Sequence, residues 1–169
     1  TLLGELSQGE KPALRSGARS GDILYATGEF GFSFETEHHL IFFPRVNEGR
    51  WLRCRVKALM DVTDGLLIDS SRMAMSSKVN LILNVDDIPG RTFLGQRADI
   101  KRRLTDGEDY ELIMAVAPED EKSFREDWPF DLQLTRIGHF SDGEAGQVVD
   151  STGNELCVIY GAGFDHFNK

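Results

Sequence analysis

Cysteine is scarce in this sequence, which limits how the fold can be held together. Only two cysteines, Cys54 and Cys157, occur in 169 residues, far apart and without a C-x-x-C neighbour. A disulfide framework like that of small secreted domains is therefore not expected. We predict two buried free thiols, which are typical of a protein in a reducing compartment.

Long apolar runs are also missing. No stretch approaches the roughly 20 apolar residues that a transmembrane helix needs. The N-terminus lacks the basic and apolar regions of a secretory signal peptide. We therefore expect a cytoplasmic protein with no membrane partner.

Positive charge is in the minority. The sequence has 19 Lys and Arg residues against 28 Asp and Glu residues, which gives a net charge of -9. Proteins that bind nucleic acids present a basic surface to the phosphate backbone, so a nucleic-acid partner is not expected. An acidic protein that handles small phosphate compounds has to recruit metal cations instead.

The hydrophobic pattern predicts one domain in which strands and helices are mixed. The chain, with 169 residues, is long enough to form a hydrophobic core without disulfides or bound metal ions to stabilise it. The predicted strands cover residues 23–27, 58–60, 79–83, 110–116, 132–140 and 147–160, with a turn at 151–154. The predicted helices cover about 47–57, 65–77 and 92–104, and another starts at Pro118. This order predicts an α+β fold with helices packed on a mixed sheet.

The most informative motif lies at a predicted strand-to-helix junction. Residues 61–66 read D-V-T-D-G-L, so two acids three positions apart flank the hydroxyl of Thr63. Mg²⁺ in phosphate chemistry prefers oxygen ligands and often takes one or two carboxylates. Asp61 and Asp64 meet that need. On spacing alone, however, an acid or threonine ahead of a helix is more often an N-cap than a metal ligand.

Three further motifs raise the odds of a functional site. Residues 107–112 read G-E-D-Y-E-L, residues 163–167 read G-F-D-H-F, and residues 15–22 read R-S-G-A-R-S-G-D. Together with D-V-T-D-G-L they resemble thiamine-monophosphate kinase, in whose C-terminal half such motifs occur in the same order. Each motif is weak by itself, but four in the right order are hard to obtain by chance.

The resemblance implies a fold and a domain division. In that family this half is a three-layer α/β/α domain, partly ferredoxin-like, as in the C-terminal domain of the aminoimidazole ribonucleotide synthetase superfamily. Residues 1–20 would be the end of a missing N-terminal domain and its linker, and residues 21–169 the C-terminal domain. The missing half would carry further metal ligands, much of the ATP-binding surface and the contacts of a homodimer. The 169-residue chain alone is therefore expected to be inactive.

The resemblance also assigns the ligands of ATP and its metal. Asp61 and Asp64 would bind Mg²⁺, and Thr63 would contact ATP through its hydroxyl or backbone. Arg15 would contact the nucleotide phosphates through its planar donor fork; as a residue of unknown environment it could equally be a surface charge. Phosphoryl transfer would be direct and in line, because no Ser-His or Cys-His nucleophile is evident and no residue is assigned as a catalytic acid or base.

Two residues are assigned to the acceptor, thiamine phosphate. Glu108 would accept hydrogen bonds from its aminopyrimidine, and Phe164 would lie against its cationic thiazolium. A phenylalanine that packs the C-terminal segment onto the core is the alternative for Phe164. Asp109 is expected to be structural.

Departures from the family pattern point to a divergent subgroup. The segment from Gly28 to His39 is short, Phe42 stands where a proline is common, and Asp106 replaces the glycine before G-E-D-Y-E-L. Two alternatives to a thiamine-phosphate kinase therefore remain open. One is a non-catalytic binding domain, and the other is an ATP-using synthetase of the wider superfamily, which makes aminoimidazole ribonucleotide or selenophosphate.

Overall fold

The computed structural model describes residue 9 and residues 11–161 of the chain. The strands are β1 (Ile23–Thr27), β2 (Ala58–Asp61), β3 (Asn80–Leu83), β4 (Thr92–Phe93), β5 (Gln96–Arg97), β6 (Leu112–Val116), β7 (Leu134–Ser141) and β8 (Val148–Asp150). The α-helices are α1 (His38–Ile41), α2 (Val46–Leu52), α3 (Leu66–Ser77), α4 (Ile100–Thr105), α5 (Glu121–Glu126) and α6 (Leu156–Tyr160). A 3₁₀ turn, Pro118–Asp120, leads into α5. No helix within these ranges is long and apolar enough to cross a membrane.

Six strands form one mixed sheet in the order β2-β6-β1-β7-β3-β8. All neighbours are antiparallel except β3 and β8, which run parallel. The neighbouring interior strands β1 and β6 are buried on both faces, so their side chains are apolar at almost every position rather than alternating with polar ones. The predicted mixed sheet is confirmed.

Helices cover both faces of this sheet. Leu24 and Ala26 of β1 point into a core shared with buried residues of α3, α4 and α6. Ile23 and Tyr25 of the same strand point to the opposite face, where they join a second core that includes residues of α2 and α5. Because successive side chains of a strand face opposite ways, one strand serves both cores. The predicted three-layer α/β/α arrangement is confirmed.

The predicted helix over residues 92–104 is wrong in its first half. Strands β4 and β5 form a hairpin there, with Leu94 and Gly95 at its turn in left-handed conformation, φ 49° and 78°. The helix α4 begins only at Ile100, after Asp99 caps it by accepting a hydrogen bond from the Arg102 amide at 2.8 Å. The turn glycine and the capping acid together place the boundary.

The predicted strand over residues 147–160 is also too long. Strand β8 ends at Asp150, whose Oδ1 accepts hydrogen bonds from the Thr152 and Asn154 amides at 2.8 and 2.9 Å. These bonds form the turn predicted at residues 151–154. Further hydrogen bonds from the Thr152 hydroxyl at 2.7 Å and the Asn154 side-chain amide at 2.9 Å lower the pKa of the Asp150 carboxyl below its ordinary value, and the backbone bonds add to this effect. The chain then enters α6 instead of a returning strand.

The segment before β1 packs against the domain where the structure describes it. The Leu14 carbonyl accepts a hydrogen bond of 2.8 Å from the Leu59 amide, and Ser77 Oγ accepts bonds of 3.2 Å from the Gly17 and Ala18 amides. Residues 14–18 therefore lie along the outer edge of β2 and reach the end of α3. The domain division at residue 20 stays a prediction.

The two cysteines are free, as predicted, but their burial was predicted wrongly. Cys54 is exposed and Cys157 is half-buried. Cys54 follows α2 directly and lies on the solvent side of the helical layer, so apolar packing does not cover it. Partial burial raises the pKa of the Cys157 thiol.

Candidate active site

The D-V-T-D-G-L and G-E-D-Y-E-L motifs meet at one end of the β2-β6 pair. The Val62 amide donates to the Glu111 carbonyl at 2.8 Å, and the Tyr110 amide donates to the Val62 carbonyl at 2.9 Å. One residue further, the Glu108 amide donates to the Thr63 carbonyl at 2.7 Å. Pairing thus continues beyond the strand ends and holds the loop with Thr63 and Asp64 beside the loop with Glu108.

Gly107 is required where these two loops touch. Its φ is +74°, and a Cβ built on it would lie 2.9 Å from the Thr63 carbonyl oxygen and 3.1 Å from the Asp64 carbonyl carbon. Real Cβ atoms do not approach backbone atoms so closely, and side chains other than glycine rarely adopt this conformation. Gly107, the first residue of G-E-D-Y-E-L, therefore sets how closely the two motifs approach each other.

Gly107→Ala should lower the free energy of unfolding by about 2–4 kcal/mol, because it combines backbone strain with a clash against Thr63. The matched control is Gly153→Ala. Gly153 has a similar φ of +87° but no atom within 4 Å of the built Cβ. Gly153→Ala should therefore lower the free energy of unfolding by only about 1 kcal/mol. Urea unfolding of both variants checks this, and equal losses would mean that the loop contact contributes nothing.

The joined loops line a cavity of about 360 Å³. Its wall is formed by Phe34, Glu35, Thr63, Asp64, Arg102, Asp106, Gly107 and Glu108. Four of these eight residues are acidic and one is basic. The basic one, Arg102, is held by Glu35 at 2.6 Å and Asp106 at 3.2 Å. Asp64 pairs with Arg72, which leaves Glu108 as the cavity acid without an ion pair among the described residues, and its charge favours a cation.

Asp64 is held by residues that sequence reasoning missed. Its carboxylate forms an ion pair with Arg72, which also bonds Asp69 at 2.7 Å. Asp69 Oδ2 accepts hydrogen bonds from the Thr63 amide at 2.8 Å and the Asp64 amide at 3.0 Å. The available signal was an acid on the otherwise apolar, buried face of α3. A buried carboxylate needs such partners.

The other predicted site residues lie elsewhere. Asp61, at the exposed end of β2, lines a neighbouring groove with Phe42 and Tyr110 rather than the cavity. Arg15 is exposed and follows Leu14 along the outer edge of β2. Phe164 lies outside the described residues. The structure thus brings together Thr63, Asp64 and Glu108 of the six predicted residues.

Tyr110 lines the groove beside Asp61 and Phe42. Its ring stacks on Phe42 with centroids 4.1 Å apart. Burial raises the pKa of the Tyr110 phenol, and the negative charges of Glu108 and Asp61 raise it further.

The remaining acids of G-E-D-Y-E-L face the interior. Arg45 binds Glu111 with two hydrogen bonds, of 2.9 and 2.5 Å, and Arg91 binds Asp109 at 2.9 Å. Both carboxylates are almost fully buried. Burial raises the pKa of Asp109 to about 7, although the charge of Arg91 opposes the shift. Asp109 is therefore structural, as expected, and Glu108 alone of the three acids faces the cavity.

The raised pKa of Asp109 predicts a pH-dependent stability. Its ordinary value is 3.8, so the folded protein binds this proton more tightly than the unfolded chain. That contribution is complete below the ordinary value and is lost as the pH rises through the folded pKa. Between about pH 4 and pH 8, the stability lost through Asp109 should be on the order of 2–4 kcal/mol. Urea unfolding across this range should show a shallower decline for Asp109→Asn, and parallel curves would contradict the assignment.

The donor set of the cavity suits a hard cation. Asp64 and Glu108 offer carboxylate oxygens and Thr63 offers a hydroxyl, which are the ligand types that Mg²⁺ prefers. Within residues 11–161, however, no group of three or more His, Cys, Asp or Glu side chains lies close enough to hold a metal ion. An ion bound at Asp64 would need further ligands from phosphate, water or other segments.

The three layers define an α/β/α domain with an acidic cavity at the strand ends. Residues 45–151 match the profile described as AIR synthase related protein, C-terminal domain. The chain belongs to this family. The predicted similarity to the C-terminal half of thiamine-monophosphate kinases is confirmed by the following relatives.

A thiamine-monophosphate kinase of Rhodopirellula baltica is 36% identical over 137 residues, which are 76% of this chain and 43% of the relative. The thiamine-monophosphate kinase structure from Stenotrophomonas maltophilia K279a matches 85% of this chain and 54% of its own, with a TM-score of 0.69 and 25% identity. AaThiL complexed with AMPPCP and TMP matches 85% and 52%, with a TM-score of 0.71 and 25% identity. The chain spans about half the length of the curated relatives it matches, 43% and 58% in two of them.

Proposed function

We propose that this chain supplies the C-terminal part of an ATP-dependent kinase that converts thiamine phosphate to thiamine diphosphate. The observation that carries the proposal is the pairing of the Thr63–Asp64 loop with the Glu108 loop around one acidic cavity. The names of the relatives support the reaction, and the complex of AaThiL with AMPPCP, an analogue of ATP, supports the nucleotide.

In this proposal Asp61 and Asp64 bind Mg²⁺, with Asp61 reaching from the end of β2 and Asp64 from the cavity wall. The ion would bridge and neutralise phosphate oxygens. Thr63 contacts the nucleotide through its hydroxyl, which makes no hydrogen bond within the described residues. Arg15 contacts the phosphates from the edge of β2, where its side chain is exposed.

The acceptor is assigned to Glu108 and Phe164. Glu108 faces the cavity, where its carboxylate can accept hydrogen bonds from an amino group. Phe164 would place its ring against the thiazolium. The cationic thiazolium of the acceptor suits this side of the cavity, because Glu108 is the cavity acid without an ion pair among the described residues.

Transfer is proposed to be direct and in line. Catalysis of phosphoryl transfer rests mainly on alignment and charge stabilisation, which a protein can provide without a covalent intermediate. His38 and His39 bond the backbone carbonyls of Asp109 and Ser33 at 3.0 and 3.1 Å. Neither contact reaches a serine hydroxyl or a cysteine thiol, which supports a mechanism without a phosphoenzyme.

Location and assembly complete the proposal. The free thiols of Cys54 and Cys157 support a reducing, cytoplasmic compartment. We propose that the full-length protein is a homodimer formed through segments beyond the described residues. Its partners would be ATP and thiamine phosphate, without nucleic acid or membrane.

The acceptor assignment can be tested in the full-length protein. Glu108→Gln and Phe164→Leu should each raise the KM for thiamine phosphate by a few-fold to about thirty-fold and leave the KM for ATP unchanged, which corresponds to about 0.5–2 kcal/mol. Glu144→Gln removes an exposed acid outside the cavity and serves as the control. Steady-state kinetics with each substrate varied checks this. An unchanged acceptor KM in both variants would refute the assignment.

A non-catalytic binding domain is the second candidate. The ion pair between Asp64 and Arg72 favours it, because a carboxylate already neutralised by arginine can serve a structural role. Such a domain would bind nucleotide without releasing ADP. A synthetase of the wider superfamily would consume ATP without requiring thiamine phosphate or forming thiamine diphosphate, so product analysis separates all three.

A further inference from the structure

Asp69 and Arg72 form a polar pair beneath the proposed metal loop. Asp69 is 1% exposed and accepts hydrogen bonds from the two successive amides of Thr63 and Asp64. Arg72 lies one turn further along α3 and contacts both Asp69 and the carboxylate of Asp64. Asp69 therefore holds the backbone amide of the residue proposed to bind Mg²⁺, and Arg72 holds its carboxylate.

Helix capping explains only part of this arrangement. An N-cap acid accepts amides of the first helical turn, but Asp69 lies inside α3 and reaches back to amides that precede the helix. Its hydrogen bonds from the Thr63 and Asp64 amides hold the two peptide groups that flank Thr63. Arg72 adds nothing to capping, because it joins two side chains.

The two ion pairs of Arg72 differ in their surroundings. Arg72 is 40% exposed and Asp64 is 24% exposed, whereas Asp69 is almost inaccessible. An ion pair near solvent is weak and can exchange partners, whereas a buried carboxylate keeps its hydrogen bonds. Arg72 can therefore leave Asp64 while it remains bound to Asp69.

We propose that Asp69 is the positioning residue of the metal loop and that Arg72 occupies the Asp64 carboxylate in competition with a divalent cation. Asp69 sets the backbone position of Thr63 and Asp64. Arg72 supplies positive charge to Asp64 and yields it when a cation binds. The affinity for the cation then depends on both residues, although neither contacts it.

The inference rests on the proposed metal role of Asp64 and is tested by metal binding alone. Mn²⁺, a paramagnetic substitute for Mg²⁺, is titrated into the full-length protein with ADP present to supply phosphate ligands, and the free ion is measured by electron paramagnetic resonance. Asp69→Asn should weaken binding about ten-fold or more, as expected for a residue that orients a metal ligand. Arg72→Gln should tighten binding about two- to five-fold, because a competing cation is removed.

Controls separate the inference from its premise. Asp142→Asn removes an equal charge from an exposed acid and should leave Mn²⁺ affinity unchanged, and circular dichroism checks that every variant is folded. If Asp64→Asn binds Mn²⁺ as the unaltered chain does, the metal role of Asp64 itself fails. If Asp64→Asn loses binding while folded Asp69→Asn and Arg72→Gln match the unaltered chain, only the positioning inference fails.

Discussion

Replacing Asp64 with asparagine in the full-length protein should lower kcat for phosphoryl transfer by about 100-fold or more while the fold stays intact. The amide keeps the shape of the carboxylate and can still accept a hydrogen bond from Arg72. It loses the charge needed to hold Mg²⁺ against the phosphates. The magnitude is that of removing one preorganised electrostatic contact to a transition state.

Turnover at several Mg²⁺ concentrations, together with thermal unfolding, measures this effect. Asp142→Asn is the matched control, since it makes the same chemical change at an exposed position outside the cavity. If Asp64→Asn keeps near-normal turnover at limiting Mg²⁺ and loses stability instead, the D-V-T-D-G-L motif is a structural cap.

The second large effect concerns the isolated 169-residue chain. It should unfold cooperatively, because it has apolar cores on both faces of its sheet, yet it should not phosphorylate thiamine phosphate. Within the described residues no three acids are placed to hold a metal ion, and the relatives are about twice as long. The site is therefore proposed to be incomplete without further segments.

An assay with ATP, Mg²⁺ and thiamine phosphate checks this prediction. Ordinary enzymes turn over at about 1–1,000 per second. Activity of the isolated chain at or above the lower end of this range would contradict the incomplete site.

The sequence predicted the elements whose pattern is local. Strand β1 is a short buried run that ends at Gly28, and α3 has apolar residues at helical spacing, so both were located closely. The β4-β5 hairpin and α6 were missed because each is short and its pattern fits either conformation. Their turns, at Leu94–Gly95 and after Asp150, decide the outcome through backbone geometry.

The sequence also predicted part of the site. Thr63, Asp64 and Glu108 meet because their loops are paired, and motif order alone indicated that they act together. The roles of Asp69 and Arg72 were not predictable from the motif. A hydrogen bond from α3 back to the preceding loop depends on the orientation of the helix relative to that loop. Asp61 was grouped with Asp64 by spacing, yet the strand end directs it to the neighbouring groove.

Two of the three departures expected from the sequence, at Asp106 and in the segment after Gly28, meet at one wall of the cavity. Asp106 accepts a hydrogen bond of 3.0 Å from the Phe32 amide. Arg102 joins Asp106 to Glu35, and its guanidinium lies 4.5 Å from the Phe32 ring centroid. The segment after Gly28 is thus tied directly to α4, whereas Phe42 lies in the neighbouring groove.

Product analysis of the full-length protein tests the central claim most directly. The protein is incubated with thiamine phosphate, Mg²⁺ and ATP labelled at its γ-phosphate, and the products are separated by chromatography. Our account predicts labelled thiamine diphosphate in equal amount to ADP. Release of ADP without labelled thiamine diphosphate, or nucleotide binding with no ADP at all, would contradict it.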